Sequence, residues 1–157
     1  MSAANADRIR PITAEDADEL ARLEALVEPT PWKAKDFEDV LKNNWHGRVL
    51  LAADGTIAAW AVVMPNLDEA ELLTIGVRPD LQGQGLGRAM LNAVLHLIDD
   101  EKRVCCHLEV RESNTRAIRL YETSGFVRVG LRKNYYRTAE GRENAVLMRR
   151  ELGGAVC

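Results

Sequence analysis

The residues that most clearly indicate chemistry form a glycine-rich stretch, Gln82-Gly83-Gln84-Gly85-Leu86-Gly87-Arg88, called the glycine loop below. An apolar run with strand character precedes it, and a helical pattern beginning at Ala89 follows it. Three glycines at alternate positions allow a sharp turn that exposes backbone amides. These amides lie at a helix N-terminus, where outward-pointing donors and the helix dipole favour an anion. The pattern therefore predicts a diphosphate-binding loop, and the alternative is a glycine-rich turn without a ligand.

Three phosphate-loop patterns compete for this stretch. The P-loop of nucleoside triphosphatases ends in Gly-Lys-Ser/Thr, whereas Gly87 is followed by Arg88. The dinucleotide fingerprint G-x-G-x-x-G would place its third glycine at Arg88 or Met90, so it fails in both registers. This fingerprint also includes an acidic residue further along the chain, and Glu109 lies near the expected distance. The pattern Q/R-x-x-G-x-G/A is satisfied from Gln82 to Gly87 and resembles the acetyl-coenzyme A pyrophosphate loop of the GCN5-related N-acetyltransferase (GNAT) superfamily.

Glu109 stands in a strand pattern that is otherwise apolar. Burial of an unpaired carboxylate is costly, so this residue faces solvent at an edge, pairs with Arg111 or Arg116, or acts as a general base. Deprotonating an α-amine with a pKa near ~8 requires only about 1 kcal/mol at neutral pH, whereas a lysine amine near ~10.4 requires about 4 to 5 kcal/mol. A glutamate base therefore suits a peptide N-terminus better than a lysine side chain.

Tyr121 lies three residues after Ile118, on a helical face that we expect to pack inward. It is either a core tyrosine with a satisfied hydroxyl or a general acid that protonates a departing thiolate. Tyr135 and Tyr136 are rival donors. His107 shares a strand face with Glu109 by alternation, and a lone histidine at such a position is more often structural.

The histidines and cysteines do not predict a metal site. No ligand spacing connects the three histidines, His46, His96 and His107. The adjacent Cys105 and Cys106 point to opposite faces of a strand, and Cys157 makes the number of cysteines odd. The sequence therefore predicts reduced thiols, a cytoplasmic protein and no metal.

Hydrophobic periodicity places these residues in about seven strands and four helices. Their order is strand, two helices, three antiparallel strands, helix, strand, helix and two strands, which predicts an α/β (α+β) fold with a mixed, mostly antiparallel sheet. Later runs predict strands at Thr56–Met64, ended by Pro65-Asn66, and at Glu69–Val77, Phe126–Val129 and Ala145–Met148. We expect a single domain over residues 1–157, with residues 1–7 and 152–157 frayed.

Composition excludes several classes of protein. The chain of 157 residues is 46% hydrophobic and 29% charged, which is typical of a soluble globular domain. A net charge of −3 does not favour nucleic-acid binding. The longest apolar run, Ile57–Met64, is far shorter than the ~20 residues of a membrane helix, and the first residues do not resemble a signal peptide.

Several sequence blocks in a fixed order resemble bacterial ribosomal-protein-alanine N-acetyltransferases of the RimI type, a family within the GNAT superfamily. The blocks are Pro31-Trp32, Asp68–Val77, the glycine loop, Leu108–Asn114, Leu120–Phe126 and Arg132–Tyr136. They cover nearly all of residues 8–150. The resemblance implies transfer of the acetyl group from acetyl-CoA, without a metal, to the N-terminal alanine of the eighteenth small-subunit ribosomal protein, by direct attack on the thioester. It implies neither a nucleic-acid nor a membrane partner.

The resemblance also implies roles for individual residues. Glu109 would be the general base, Tyr121 the general acid, and Asn114 a contact of the coenzyme arm. The pantetheine and the acetyl carbonyl would bind backbone groups of Ile75, Gly76 and Val77. The diphosphate would bind amides of Gly83, Gln84, Gly85, Leu86, Gly87 and Arg88. The acceptor peptide would contact Trp32, Tyr135 and Tyr136.

Three positions depart from the family pattern. Lys33 stands where serine often follows Pro-Trp, which removes a helix cap; Gly83 replaces a frequent arginine; and Arg137 follows Tyr-Tyr where proline is common. These departures affect the expected range of substrates more than the chemistry. Two other functions stay open: acetylation of a small amine or a protein lysine on the same fold, and a non-catalytic acyl-CoA or nucleotide-binding module.

Overall fold

The computed structural model describes residues 8–157, and it confirms the predicted order of seven strands and four α-helices. The helices are α1 (Ala17–Val27), α2 (Ala34–Lys42), α3 (Leu86–Asp100) and α4 (Thr115–Thr123). The strands are β1 (Ile9–Pro11), β2 (His46–Leu51), β3 (Ile57–Asn66), β4 (Glu69–Val77), β5 (Cys105–Arg111), β6 (Val127–Thr138) and β7 (Gly141–Glu151). Within residues 8–157, no helix combines the length and the apolarity needed to cross a membrane.

The strands form a seven-stranded sheet in the order β1-β2-β3-β4-β5-β7-β6. The pairs β1–β2, β2–β3, β5–β7 and β6–β7 are antiparallel, and β4 pairs with β5 in parallel. Pro11 ends the edge strand β1, where its missing N–H breaks no ladder. The predicted α/β class with a mixed, mostly antiparallel sheet is therefore confirmed.

Strand boundaries near the loops differ from those predicted. Strand β3 continues through Pro65 to Asn66, and β6 runs to Thr138, far beyond the predicted end at Val129. The pairing of β6 with β7 shifts register between Arg132 and Tyr136, where Asn134 has a φ of 53° and its N–H donates to the Asn144 side chain at 3.0 Å. The register also shifts between Arg128 and Gly130. These irregularities interrupt the alternation of side chains, which is why the sequence pattern did not show the second half of the strand.

Contacts divide the described chain into two compact units. Unit 1 contains residues 8–65 and 72–97, and unit 2 contains residues 66–71 and 98–157. The boundaries fall within β3, β4 and α3. The single-domain boundaries drawn from the sequence stay a prediction.

The core of unit 1 forms where the apolar faces of α1 and α2 pack on β2 and β3. Leu20 and Leu23 of α1 and Phe37 and Val40 of α2 are at most 1% exposed. Trp60 of β3 is fully buried in the same cluster. The apolar side chains that helical spacing places on one face of α1 and α2 thus pack against those that strand alternation places on one face of the sheet.

One carboxylate is buried inside this apolar layer. Glu24 of α1 is 1% exposed, and it accepts hydrogen bonds from the Trp32 backbone N–H at 2.7 Å and from Trp60 Nε1 at 3.1 Å. The Thr74 hydroxyl also donates to it. Three donors compensate the lost hydration of the charge, so Glu24 connects α1, the segment before α2, β3 and β4.

Replacement of Glu24 by alanine is expected to lower the free energy of unfolding by about 3 kcal/mol, because it leaves the buried Trp60 Nε1–H without its acceptor. Urea unfolding monitored by tryptophan fluorescence measures this change. Glu19→Ala on the same helix is the matched control, since Glu19 makes only an exposed pair with Arg22 and should change stability by less than about 0.5 kcal/mol. Equal losses in the two variants would contradict the role given to Glu24.

The end of unit 2 corrects two predictions from the sequence. Residues 152–157 were expected to fray and the thiols to be unpaired, yet Leu152 is buried and Cys157 forms a disulfide with Cys105 of β5. The Leu152 N–H donates to the Val104 carbonyl at 3.0 Å, which continues the pairing of the chain beyond β7. The two cysteines are separated by 52 residues, so this pairing was not visible as a spacing motif. Cys106 is buried and takes no part in the disulfide.

Candidate functional site

The glycine loop in unit 1 needs glycine for its backbone conformation. Gly83 and Gly85 both have a φ of 81°, a region that side chains with a Cβ rarely adopt. A Cβ at Gly85 would meet nothing within 4 Å, so the conformation and not lack of space requires glycine there. The Gln82 side chain donates to the Val77 carbonyl at 3.2 Å, which holds the loop against the end of β4.

The loop leads directly into the longest helix of the chain. The Ala89 N–H donates to the Gly85 carbonyl at 3.1 Å, so the hydrogen bonding of α3 starts within the loop. Leu86, Gly87 and Arg88 form the first turn, whose amides point out of the helix. Residues 82–85 are exposed. The arrangement gives an accessible set of amide donors at the positive end of the α3 dipole, as a bound diphosphate requires.

The last three residues of β4 come before this loop. Ile75 and Val77 are half-buried, and Gly76 is buried. A Cβ at Gly76 would lie 2.2 Å from the Trp60 ring, a distance that packed atoms cannot adopt. Glycine is therefore required at position 76 for a structural reason that the sequence did not show: the ring of Trp60, which donates to Glu24, occupies the space of a side chain.

Trp32 lies in unit 1 between α1 and α2. It is half-buried, and its ring contacts Phe37 edge-on at a centroid distance of 5.1 Å. Lys33, which replaces the expected serine cap, still donates its backbone N–H to the Asp36 carboxylate at 2.8 Å. Helix α2 thus keeps one half of a capping box despite this departure.

Glu109, in unit 2, makes an ion pair that the sequence did not predict. Its Oε1 lies 2.9 Å from Arg132 Nε on β6, and the side chains are 22% and 55% exposed respectively. The partners considered from the sequence were Arg111 and Arg116. Arg132 belongs to a block named in the resemblance, but strand alternation gave no sign that it faces Glu109. The carboxylate is therefore partly accessible and held in position by a cation.

The two predicted peptide-contact tyrosines stack between arginines. The Arg132 guanidinium lies 5.4 Å from the Tyr135 ring centroid, and the two tyrosine rings meet edge-on at 5.1 Å. Arg111, which is buried, lies 4.4 Å from the Tyr136 ring centroid and donates to the Arg137 carbonyl at 3.2 Å. Cation–π contacts of this kind fix ring orientation. Unit 2 thus brings Glu109, Tyr135 and Tyr136 together through Arg132.

A second carboxylate near Glu109 was not predicted from the sequence. Glu71 of β4 pairs in register with His107 of β5, and burial raises its pKa above 4.5, with a further increase from the negative charge of Glu109. The charges of His107 and Arg132 lower the pKa of Glu71 and partly offset this increase. Glu69 and Glu71 alternate in an otherwise apolar strand, and that pattern could have pointed to a pair of carboxylates on one face.

Replacement of Glu71 by glutamine is expected to increase stability at neutral pH but not at acid pH. A carboxyl with a raised pKa in the folded state contributes its full stability below the ordinary value of 4.5 and loses it as the pH rises through the raised pKa. Glutamine removes that loss. Urea unfolding at neutral pH and below pH 4.5 measures the difference between variant and parent protein. Glu140→Gln, in the exposed β6–β7 turn, is the control, and a gain that is equal at both pH values would contradict the assignment.

Asn114 and Tyr121 lie at opposite ends of helix α4. The Asn114 Oδ1 accepts from the Ala117 N–H at 3.2 Å, so this residue is the helix N-cap. Tyr121 is 6% exposed and packs edge-on against Phe126 at a centroid distance of 5.8 Å. Both residues therefore have structural roles, and their roles toward a coenzyme stay predictions.

The acetyltransferase (GNAT) family model matches residues 17–126. The [ribosomal protein bS18]-alanine N-acetyltransferase of Escherichia coli K12 is 46% identical over 132 residues, which cover 80% of this chain and 84% of that protein. The crystal structure of the Escherichia coli ribosomal-protein-S18-alanine N-acetyltransferase aligns with a TM-score of 0.86 and 35% identity, covering 95% of this chain and 94% of that one.

A more distant structure shares only the fold. A phosphinothricin acetyltransferase from Sinorhizobium meliloti, solved in complex with AcCoA, aligns with a TM-score of 0.82 and 19% identity over 94% of this chain and 89% of that chain. Together, the matches confirm the resemblance read from the sequence blocks.

Proposed function

This chain belongs to the acetyltransferase (GNAT) family, an acyltransferase family, and on that premise we propose that it transfers the acetyl group of acetyl-CoA to the N-terminal alanine of a small-subunit ribosomal protein. The acceptor is the one named for the bS18-alanine N-acetyltransferase with which it shares 46% identity. We assign the enzyme to the cytoplasm, where that acceptor is made. The reaction uses no metal, since the thioester is already activated for attack by an amine.

The observation that carries the donor part of the proposal is the conformation of the glycine loop. Two residues with a φ of 81° precede a 15-residue helix, and such a helix N-terminus favours a diphosphate. The amides of Gly83 to Arg88 bind the diphosphate of the coenzyme. Backbone groups of Ile75, Gly76 and Val77 bind the pantetheine and orient the acetyl carbonyl, and Asn114 contacts the coenzyme arm.

Glu109 and Tyr121 carry the chemistry in this proposal. The Glu109 carboxylate takes a proton from the α-ammonium group, and the neutral amine attacks the thioester carbonyl carbon, forms the new C–N bond and loses its second proton to solvent. The C–S bond then breaks, and Tyr121 gives its phenolic proton to the departing thiolate. The ion pair with Arg132 holds the Glu109 carboxylate in position beside the acceptor, as a base requires. Trp32, Tyr135 and Tyr136 contact the acceptor peptide.

The test is release of free thiol from acetyl-CoA in the presence of an alanine-starting peptide that copies the start of the ribosomal protein. We expect peptide-dependent release, together with an added acetyl mass on the α-amine found by mass spectrometry. A peptide of the same sequence with a chemically blocked N-terminus is the matched control. It keeps every lysine, so release with the blocked peptide would indicate lysine acetylation instead.

Binding of acetyl-CoA is measured separately by calorimetry, so that the donor and acceptor assignments can fail independently. Binding without reaction on the peptide would contradict the acceptor and leave the donor site in place. Reaction with free small amines at a higher kcat/KM than with the peptide would favour the small-amine alternative. Absence of binding would contradict the role of the glycine loop.

A further inference from the structure

Three potential metal ligands lie together at the start of β4 and β5 in unit 2. A carboxylate oxygen of Glu69, the sulfur of Cys105 and a ring nitrogen of His107 all lie within 4.8 Å of one another. Glu69 and Cys105 are partners in the parallel pairing, and Cys105 and His107 are two residues apart on the same strand face. The strand register therefore creates a cluster that separate sequence positions did not reveal.

A fourth ligand comes from the segment after β7. Cys157 is bonded to Cys105, so its sulfur lies directly beside one member of this cluster whenever that segment is in place. The segment is held by the buried Leu152 side chain and by the Ala155 N–H, which donates to the Leu152 carbonyl at 2.9 Å. Reduction of the disulfide would release two thiols beside an imidazole and a carboxylate.

We propose that Glu69, Cys105, His107 and Cys157 form a zinc-type metal site when the cysteines are reduced. Two thiolates, one imidazole and one carboxylate are a donor set that suits Zn²⁺ in tetrahedral geometry. Zinc bonds of 2.0–2.3 Å place tetrahedral ligand atoms about 3.3–3.8 Å apart. The ligand atoms of Glu69, Cys105 and His107 lie within 4.8 Å of one another, so small side-chain movements bring these three to such separations. Opening of the S–S bond frees the Cys157 sulfur, which starts next to Cys105, to become the fourth ligand.

The surroundings agree with a metal site. His107 and Glu69 already contact each other at 3.0 Å, and their side chains are 39% and 40% exposed, so an ion can enter from solvent. Arg149 is the Cα partner of His107 on β7, and directly opposite side chains share a face. Two thiolates, one carboxylate and Zn²⁺ have a net charge of −1, which this arginine partly compensates.

The disulfide and the metal exclude each other. A dithiol reductant transfers two electrons to the Cys105–Cys157 bond, becomes a disulfide itself and leaves two protonated thiols. Binding of the metal then releases both protons, because the thiolate is the ligand. In the oxidised form, a disulfide thus connects Cys105 and Cys157, and in the reduced form a bound metal ion connects them. The ordinary alternative is a structural disulfide beside an unrelated histidine–glutamate hydrogen bond.

The experiment titrates Co²⁺ and then Zn²⁺ into the full-length protein, once oxidised and once reduced with a phosphine reductant, with free thiols counted beforehand. We expect the reduced protein to bind one equivalent of Co²⁺, with thiolate-to-metal charge-transfer absorption and the strong visible bands of tetrahedral cobalt, and Zn²⁺ to displace it. The oxidised protein should show neither signal.

Two pairs of variants locate the site. Cys157→Ser and His107→Gln should each lower the metal affinity by about 10²-fold or more, because even the loss of an outer partner of a ligand costs 10–100-fold. Cys106→Ala and His96→Gln are the matched controls, since Cys106 is on the opposite strand face and His96 is exposed on α3. Circular dichroism verifies that each variant is folded. Absence of cobalt bands in the reduced protein, equal binding by the oxidised protein, or unchanged affinity in Cys157→Ser would each overturn the proposal.

Discussion

Glu109→Gln is expected to lower kcat/KM for peptide acetylation by about 10²–10³-fold and to leave acetyl-CoA affinity unchanged. General-base catalysis contributes about 10²–10⁴-fold to the rate. We expect a loss in the lower part of this range, because an α-amine is already partly deprotonated near neutral pH and depends less on a base. Glutamine keeps the shape of the side chain but cannot accept the proton. Steady-state kinetics on the alanine-starting peptide, with calorimetry for the coenzyme, measures both quantities.

The pH dependence of this loss distinguishes a base from a structural carboxylate. As the pH rises past ~8, the α-amine loses its proton without help, so the deficit of Glu109→Gln should shrink. A deficit that stays constant across this range would contradict the role of a base. Arg132→Gln is the companion variant, because it breaks the 2.9 Å ion pair and keeps the carboxylate. If Arg132→Gln reproduced both the size and the pH dependence of the loss, Glu109 would be a positioning partner and not the base.

The sequence predicted the fold because its signals were local. Helical spacing in α1 and α2, glycines at the loop and alternation in β4 and β5 each depend on neighbouring residues. Alternation also separated the two faces of β5 correctly, since the sulfur of Cys105 lies in the cluster with His107 and Cys106 does not belong to that cluster. Strand alternation failed as a guide near Asn134, because this residue has a positive φ and interrupts the alternation of side chains in a strand that continues on both sides.

The parts of the site that the sequence missed depend on contacts distant along the chain. The Glu109–Arg132 pair and the effect of Glu109 on the pKa of Glu71 follow from the order and register of strands. No spacing rule connects Cys105 with Cys157, which are 52 residues apart. Pairing register decides which side chains meet across a sheet, and a single sequence does not contain it.

Gly76 shows how a local motif can have a distant cause. The resemblance gave this residue a role toward the coenzyme. The structure adds that no side chain fits there, since a Cβ would lie 2.2 Å from the Trp60 ring. Trp60 is in turn held by the buried Glu24. The end of β4 is therefore kept rigid by the core of unit 1, and rigid support is what a binding site for a flexible coenzyme arm needs.

Tyr121→Phe is expected to lower kcat by about 10²-fold, near the lower limit for general acid catalysis, because a thiolate is already a fair leaving group. Phenylalanine keeps the edge-on contact with Phe126, so the fold should be preserved. An acetyl donor whose departing thiol is more acidic needs less help from an acid, so the deficit of Tyr121→Phe should shrink with such a donor. Tyr136→Phe, at a rival tyrosine, should show no such dependence on the leaving group. A deficit in Tyr121→Phe that ignored the leaving group, or the same dependence in Tyr136→Phe, would move the acid away from Tyr121.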